Sequence, residues 1–335
     1  MSHLPLPSIE ALLDRAELLG VEEEAFPNDG WSGASMTLLP RDDGSRFVLK
    51  RDSLARDWIA RATRDGPVPR EAWFAAAGPS LPPSIRNPAL GGAFDPSTGE
   101  AAVLMPDLSE ILFDWNAALP VERLDQVLAA LAALHDPAWD LQADASWCPI
   151  QERVALICRS SLERPGPARD AVAERLLPGW EAFDRLATPA ARDVMGALSD
   201  DPSPLVRALD AQPATLIHGD LKLANVGIAT DGVVDVVDWQ MVSLAPVAIE
   251  LGWFLVSNVN ALPLPPEAVL ERYWRLRGRG PGDEDDLAIL VGLLLRGWRK
   301  GYDAEAGINL ASGVSAADDL AWWCDRAVEA AGRVL

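Results

Sequence analysis

The chain has 335 residues, 49% of them hydrophobic and 24% charged, with a formal net charge of −21. That length and apolar content build a globular protein with room for two lobes and a sizeable core, and they exclude a disordered chain. The negative charge argues against nucleic acid or an anionic membrane surface as a partner; it is compatible with a cationic substrate, although many proteins are this acidic for solubility alone. Cys148, Cys158 and Cys324 are too few and too irregular for a disulfide framework or a thiolate metal site. His3, His135 and His218 are the only histidines, which excludes a His-rich zinc site. No charged region leads into an apolar run at the start, and the longest apolar run, 287–295, is far short of the ~20 residues of a membrane span. A soluble, cytoplasmic protein is expected.

In chain order, Ser8 caps a first amphipathic helix with Ile9, Leu12, Leu13, Ala16 and Leu19 on one face. From 21 to about 51 the pattern turns to short strands, separated by Asn28-Asp29-Gly30 and Asp42-Asp43-Gly44. Two helical segments follow near 53–64 and 70–77. Residues 85–106 read as a strand pair linked through Asp95-Pro96-Ser97-Thr98-Gly99. Pro106-Asp107-Leu108-Ser109 breaks the pattern, and helices then dominate except for a strand island at about 215–238. The stretch 159–169 reads as a connection between helices, and Ser315-Ala316-Ala317-Asp318 as a capping box opening a last helix docked by Trp322 and Trp323. The expected architecture is α+β, with a β-rich N-lobe over 1–106, a mostly helical C-lobe over 107–335 and a ligand cleft between them.

The strand island carries the chemistry. His218-Gly219-Asp220-Leu221-Lys222-Leu223-Ala224-Asn225 is followed thirteen residues later by Asp238, which closes the β-branched run 233–237. Asp231-Gly232 is a tight-turn signal, and folding back there brings Asp238 beside Asn225. A carboxylate and an amide oxygen beside a third group, Asp220, suit Mg²⁺ held together with substrate phosphates. This pattern points to phosphoryl transfer. Asp220 is the candidate catalytic carboxylate, and Asn225 and Asp238 are the candidate metal ligands. His218 follows an apolar strand and reads as a residue that holds the loop.

These residues resemble the catalytic loop and metal-binding Asp of the protein-kinase-like superfamily. Gly219 stands where protein kinases usually carry Arg, and Asp238-Trp239-Gln240 replaces their Asp-Phe-Gly. Both departures are similar to the aminoglycoside phosphotransferase/choline kinase branch, whose members phosphorylate small molecules. The resemblance implies a bilobal kinase fold, Mg²⁺, ATP or GTP as co-substrate, and a small-molecule hydroxyl acceptor. It also implies that Lys50, ending the strand 46–50, binds the nucleotide phosphates and is positioned by Glu71 on the following helix. Backbone groups around Met105, Asp107 and Leu108 would meet the adenine edge. Lys222, two residues after Asp220, would approach the transferred phosphate. Only three lysines stand beside 26 arginines, so a lysine at 50 and at 222 suggests a need for a compact ammonium.

Other signals are weaker. The segment 29–35, with Gly30 and Gly33, would let backbone N–H groups approach phosphates, but reads nearly as well as a plain hairpin. Glu250 stands where related kinases usually show Asp, and stays outside the catalytic set. Asp283-Glu284-Asp285-Asp286 reads as carboxylates complementing a helix N-terminus rather than as a receptor for a polycation. Two rival readings are a nucleotide-binding pseudokinase-type regulator without turnover and a protein kinase. The competent residue at every chemical position counts against the first. The missing Arg after His218 and the lack of an Ala-Pro-Glu segment count against the second. Acceptor identity and oligomeric state are not legible.

Overall fold

Period-two alternation in the first third of the chain builds a single antiparallel sheet. The computed structural model describes residues 4–27, 30–136 and 147–335; His3, Asn28 and Asp29 lie outside the described residues. The strand order is Glu24–Ala25, Ser35–Pro40, Arg46–Ser53, Glu100–Pro106, Gly91–Asp95. One face buries Leu39, Leu49, Ala102 and Leu104 against Leu12, Leu13 and Leu18. The other face carries Lys50 opposite Val103, and here the helix Arg70–Ala77 packs through Ala72. Because successive side chains alternate, Lys50 shares its face with Val48 and Val103 and so lies under the helix that bears Glu71.

Ser8 caps the helix Ile9–Arg15 by accepting from the Ala11 amide at 3.1 Å. The helix is shorter than its apolar pattern predicts. Glu17 takes φ +57°, which ends it, so Leu18 is buried in the core and Leu19 is exposed. The 40–46 hairpin turns at Gly44 (φ +85°), as the Asp-Gly signal predicts. The expected 85–106 strand pair is realised as Gly91–Asp95 with Glu100–Pro106. Ile85–Arg86 instead pairs in parallel with Val234–Val236, and so joins the sheet carrying the motif.

Beyond Pro106 the chain is mainly helical, with the short strands Ala214–Ile217, Val226–Ile228, Val234–Val236 and Ser243–Pro246 forming two small sheets. This is the α+β architecture expected from the sequence. Every residue of the helix Val247–Ser257 is buried, as a helix apolar on all sides apart from Glu250 and Ser257 requires. It packs against Asp283–Glu305 closely enough that a Cβ on Gly252 would stand 2.3 Å from the Ala288 carbonyl oxygen. Ser315 caps the last helix by accepting from the Asp318 amide, and Trp323 is fully buried. No described helix is long and apolar enough to cross a membrane.

The Gly252 contact gives a test of this packing. A backbone carbonyl cannot rotate aside as a side chain can, so Gly252→Ala forces the two helices apart. Overpacking of this kind costs up to about 3 kcal/mol, against about 1 kcal/mol gained in helix propensity. A net loss of about 2 kcal/mol is expected, read as a lower urea midpoint with an unchanged m-value.

Candidate active site

The loop 218–225 leaves the strand Ala214–Ile217 with few backbone partners of its own, and side chains from the surrounding helices supply them. Glu250 Oε2 accepts from the His218 amide at 2.5 Å and the Gly219 amide at 3.2 Å. Arg153 Nε donates to the Gly219 carbonyl at 2.7 Å. Asn258 accepts from the Leu223 amide at 2.7 Å and donates to the Leu221 carbonyl at 3.3 Å. Gly219 has φ +83°, and a Cβ there would meet the Met241 carbonyl oxygen at 2.1 Å, so no side chain fits. His218 is fully buried, with Nε2 3.0 Å from the Val237 carbonyl and Nδ1 accepting from the Asp220 amide. Burial lowers its pKa despite Asp220 and Asp238 nearby, which keeps it a neutral strut.

The hairpin folds as its sequence predicts: Gly232 takes φ +82°, and Val226–Ile228 pairs antiparallel with Val234–Val236. The Val237 amide then donates to the Asn225 carbonyl at 3.0 Å, which sets Asp238 next to Asn225 in space. Asp238 lies two residues beyond the strand, in the left-handed region at φ 67°, ψ 54°. Trp239 behind it stacks on Phe74 (4.5 Å between ring centroids), and Arg70 Nη1 donates to the Gln240 carbonyl at 2.7 Å. The segment is thus clamped to the helix Arg70–Ala77.

Lys50 joins the two halves. Its Nζ lies 2.6 Å from Glu71 Oε2 and 2.6 Å from Asp238 Oδ1. Burial by itself would lower the Lys50 pKa, but Asp238 and then Glu71 outweigh it and hold the ammonium charged. One ammonium cannot compensate two desolvated carboxylates equally. Burial raises Asp238 as well, yet Lys50 and then Lys222 pull it down to about 2, whereas burial drives Glu71 up to about 7. Lys222 Nζ is 3.0 Å from Asp220 Oδ2, and Asp220 Oδ1 is buried without a partner. Asn225 Nδ2 donates to the Asp220 carbonyl at 3.2 Å, so its amide oxygen is the atom left to meet a cation.

The remaining expectations are placed as follows. Met105 lines a small cavity with Glu71, Val103, Val237 and Asp238. The Asp107 amide donates to the Arg46 carbonyl at 2.9 Å, so that N–H is already used, and the Leu108 carbonyl accepts from Ile111 and Leu112. Gly33 (φ +102°) is needed for its approach to Arg56, where a Cβ would stand 2.9 Å from the carbonyl oxygen. The acidic run is engaged in structure: Glu284 with Arg279, Asp285 with the Trp274 indole, Asp286 with Arg333. Sequence reasoning missed Arg153 and Asn258 and set Glu250 aside. The available signal was a lone carboxylate in an otherwise apolar helix. Arg153 carried none, being one arginine among 26.

The profile of the Phosphotransferase enzyme family matches residues 26–288. The chain belongs to that family. As a phosphotransferase, it is similar in structure to choline kinase LicA from Streptococcus pneumoniae, at 12% identity over 96% of this chain and 98% of that one, with a TM-score of 0.49. An aminoglycoside phosphotransferase from Alicyclobacillus acidocaldarius gives 15% identity over 94% and 93%, with a TM-score of 0.44. Macrolide 2'-phosphotransferase MphH from Brachybacterium faecium gives 19% over 96% and 98%, with a TM-score of 0.41. At these identities none of their substrates transfers to this chain. No curated protein matches it significantly.

Glu250 supplies a pH test. It is fully buried, and burial pushes its pKa up to about 7 against the pull of the Gly219 and His218 amides. Its Oε1 has no partner and is the oxygen free to carry the proton. His135 Nε2, 4.0 Å from Oε2, is pushed down to about 3 by burial and stays neutral. Between the ordinary carboxyl value and about 7 the folded state holds a proton that the unfolded state releases, so stability falls as pH rises through that window. The loss is on the order of 2–3 kcal/mol. Glu250→Gln keeps an acceptor for both amides and removes the charge. Urea melts at pH 5 and pH 8 should therefore show a smaller pH difference in the variant; equal differences would remove Glu250 as the titrating group.

Proposed function

We propose that this phosphotransferase is a Mg²⁺-ATP-dependent kinase, able in principle to use GTP, that moves a γ-phosphoryl group to a hydroxyl of a small-molecule acceptor in the cytoplasm. The observation that carries this reading is the bridge from Lys50 to both Glu71 and Asp238, formed beside Asp220 and Asn225. We place the lobe boundary at 106–107, where the sheet ends, with the nucleotide between the lobes near Met105, Asp107 and Leu108.

The donor set fits Mg²⁺. Among the described residues no group of three or more His, Cys, Asp or Glu side chains could hold a metal ion. Asp238 and Asn225 offer instead one carboxylate and one amide oxygen, the sparse protein share Mg²⁺ takes when phosphates and water supply the rest. Bound there, the ion would neutralise charge on the nucleotide's phosphate oxygens. Lys50 is the buried, permanently charged partner for the same phosphates, held in place by Glu71. Asp220 Oδ2 faces Lys222 Nζ at 3.0 Å, and its unpartnered Oδ1 is the atom that would orient the acceptor hydroxyl and take its proton. Lys222 would stabilise the charge moving onto the acceptor side. A regulator without turnover has no use for an oriented base beside a charged lysine, so these groups favour the enzyme.

An ADP-release screen with Mg²⁺-ATP across amino alcohols, aminoglycosides, sugars and hydroxy acids tests the reading. Asp220→Asn should lower kcat by about 10²–10⁴-fold with nucleotide affinity retained. Asp238→Ala should abolish turnover together with Mg²⁺-dependent nucleotide binding, and Lys50→Met should raise KM for ATP. Turnover like that of the parent in Asp220→Asn or Asp238→Ala would refute the assigned roles.

A further inference from the structure

Around Asp220 the buried polar groups are unevenly matched. Arg153 is 1% exposed; beyond its Nε bond to Gly219, both Nη1 and Nη2 lack a partner. Arg296 has a buried Nε without a partner, and so have the indole nitrogens of Trp253 and Trp298. The guanidiniums of Arg153 and Arg296 lie 4.5 and 5.3 Å from the Trp253 ring centroid, and Arg296 is also 5.0 Å from that of Trp298. A ring face supplies no hydrogen-bond acceptor in these contacts, so Arg153 Nη1 and Nη2 and Arg296 Nε still lack one. The backbone supports the placement, because the helix Asp283–Glu305 leaves helical geometry at Arg296 (φ −132°, ψ 18°).

The charges do not balance either. Asp220 acts electrostatically on both Arg153 and Arg296, yet its Oδ2 already faces Lys222. Three cations thus draw on the Asp220 carboxylate; Glu250 also acts on Arg153 and Asp303 on Arg296, but neither makes a hydrogen bond to those guanidiniums, and burial raises Glu250 toward neutrality. Arg299 and Asp303 pair with each other at 2.8 Å and add no free charge. An unpaired buried guanidinium is costly, and its natural complement is a carboxylate or phosphate that accepts two N–H bonds at once. Trp298 also neighbours the 47% exposed Trp31 ring at 6.5 Å, so the cluster extends toward the surface.

We propose that Arg153 and Arg296 form an anion subsite of the acceptor pocket, so that the phosphoryl acceptor carries a carboxylate or phosphate near its reacting hydroxyl. The proposal rests on the kinase reading above. It runs against a polycationic acceptor, which would need unpaired carboxylates around it. The acidic run 283–286 cannot serve, since three of its four members are tied to Arg279, Trp274 and Arg333.

The test uses the full chain with saturating Mg²⁺-ADP, so that phosphate-bearing probes cannot enter the nucleotide site. Binding of glycerate, gluconate and glycerol 3-phosphate is measured by calorimetry and tryptophan fluorescence, with glycerol and choline as neutral and cationic counterparts. At least one anionic probe should bind tenfold or more tightly than both counterparts, and the carboxylate and phosphate arms decide which anion is taken. Arg296→Gln should weaken that binding about tenfold or more while Mg²⁺-ADP affinity stays within about twofold, and Arg296→Lys should recover part of it. No anionic preference in the parent, tighter binding of choline, or unchanged affinity in a folded Arg296→Gln overturns the proposal. If melts show that Arg296→Gln does not fold, the parent's charge preference and Arg296→Lys decide. Failure of the parent to bind Mg²⁺-ADP would instead overturn the kinase reading, and is read separately.

Discussion

A single ammonium group lies between two carboxylates that belong to different parts of the chain. Lys50 comes from the N-terminal sheet, Glu71 from the helix covering it, and Asp238 from the turn after a strand of the helical part. Such a buried arrangement adds little net stability, because desolvating three charged groups offsets most of their attraction. Its value is geometric: it forms only when strand register, helix placement and the left-handed turn at Asp238 are all correct. The surrounding contacts then make sense as restraints on that geometry. Phe74 stacks on Trp239, Arg70 holds the Gln240 carbonyl, and Gln240 donates to Asp57, the cap of the helix Trp58–Ala62. Two carboxylates facing one ammonium also leave the cluster short of positive charge, which is the condition a divalent cation relieves.

The loop 218–225 is held differently. Its backbone makes few sheet or helix bonds, so Glu250, Arg153 and Asn258 reach in from helices and occupy its amides and carbonyls. Arg153 and Glu250 stand on helices and Asn258 caps the C-terminus of one, all packed into the main core, which transmits the core's rigidity to a loop with little of its own. The longer Glu at 250, where a shorter Asp would be expected, still reaches two amides with one oxygen.

The charge of the whole molecule is a poor guide to this site. The chain carries −21 overall, but Lys50 meets Asp238, Lys222 meets Asp220, and Arg153 and Arg296 lie under the influence of Asp220. Net charge governs solubility and long-range encounter, whereas a partly dry pocket is governed by the few charges inside it. Lysine scarcity needs the same caution. Lys300, the third lysine, pairs with buried Asp319 at 2.6 Å and packs 5.1 Å from the Trp323 ring, a role in the core.

By itself the sequence determined the elements whose signals are local. The Ser8 and Ser315 caps, the Asp-Gly turns, the strand alternation that buries one face of 46–53 and the spacing from His218 through Asn225 to Asp238 all depend on neighbours a few residues apart. The helix stop at Glu17 was not legible, since an apolar pattern continued past it and only backbone geometry ended it. Tertiary structure alone decided which distant residues meet. It set Ile85–Arg86 beside Val234–Val236, consumed the 283–286 carboxylates in ion pairs and hydrogen bonds, and turned two of many arginines toward Asp220. The physical reason is that a cap or a turn is satisfied within one stretch of chain, whereas burying a charge needs a partner supplied by whatever the core's packing brings alongside it.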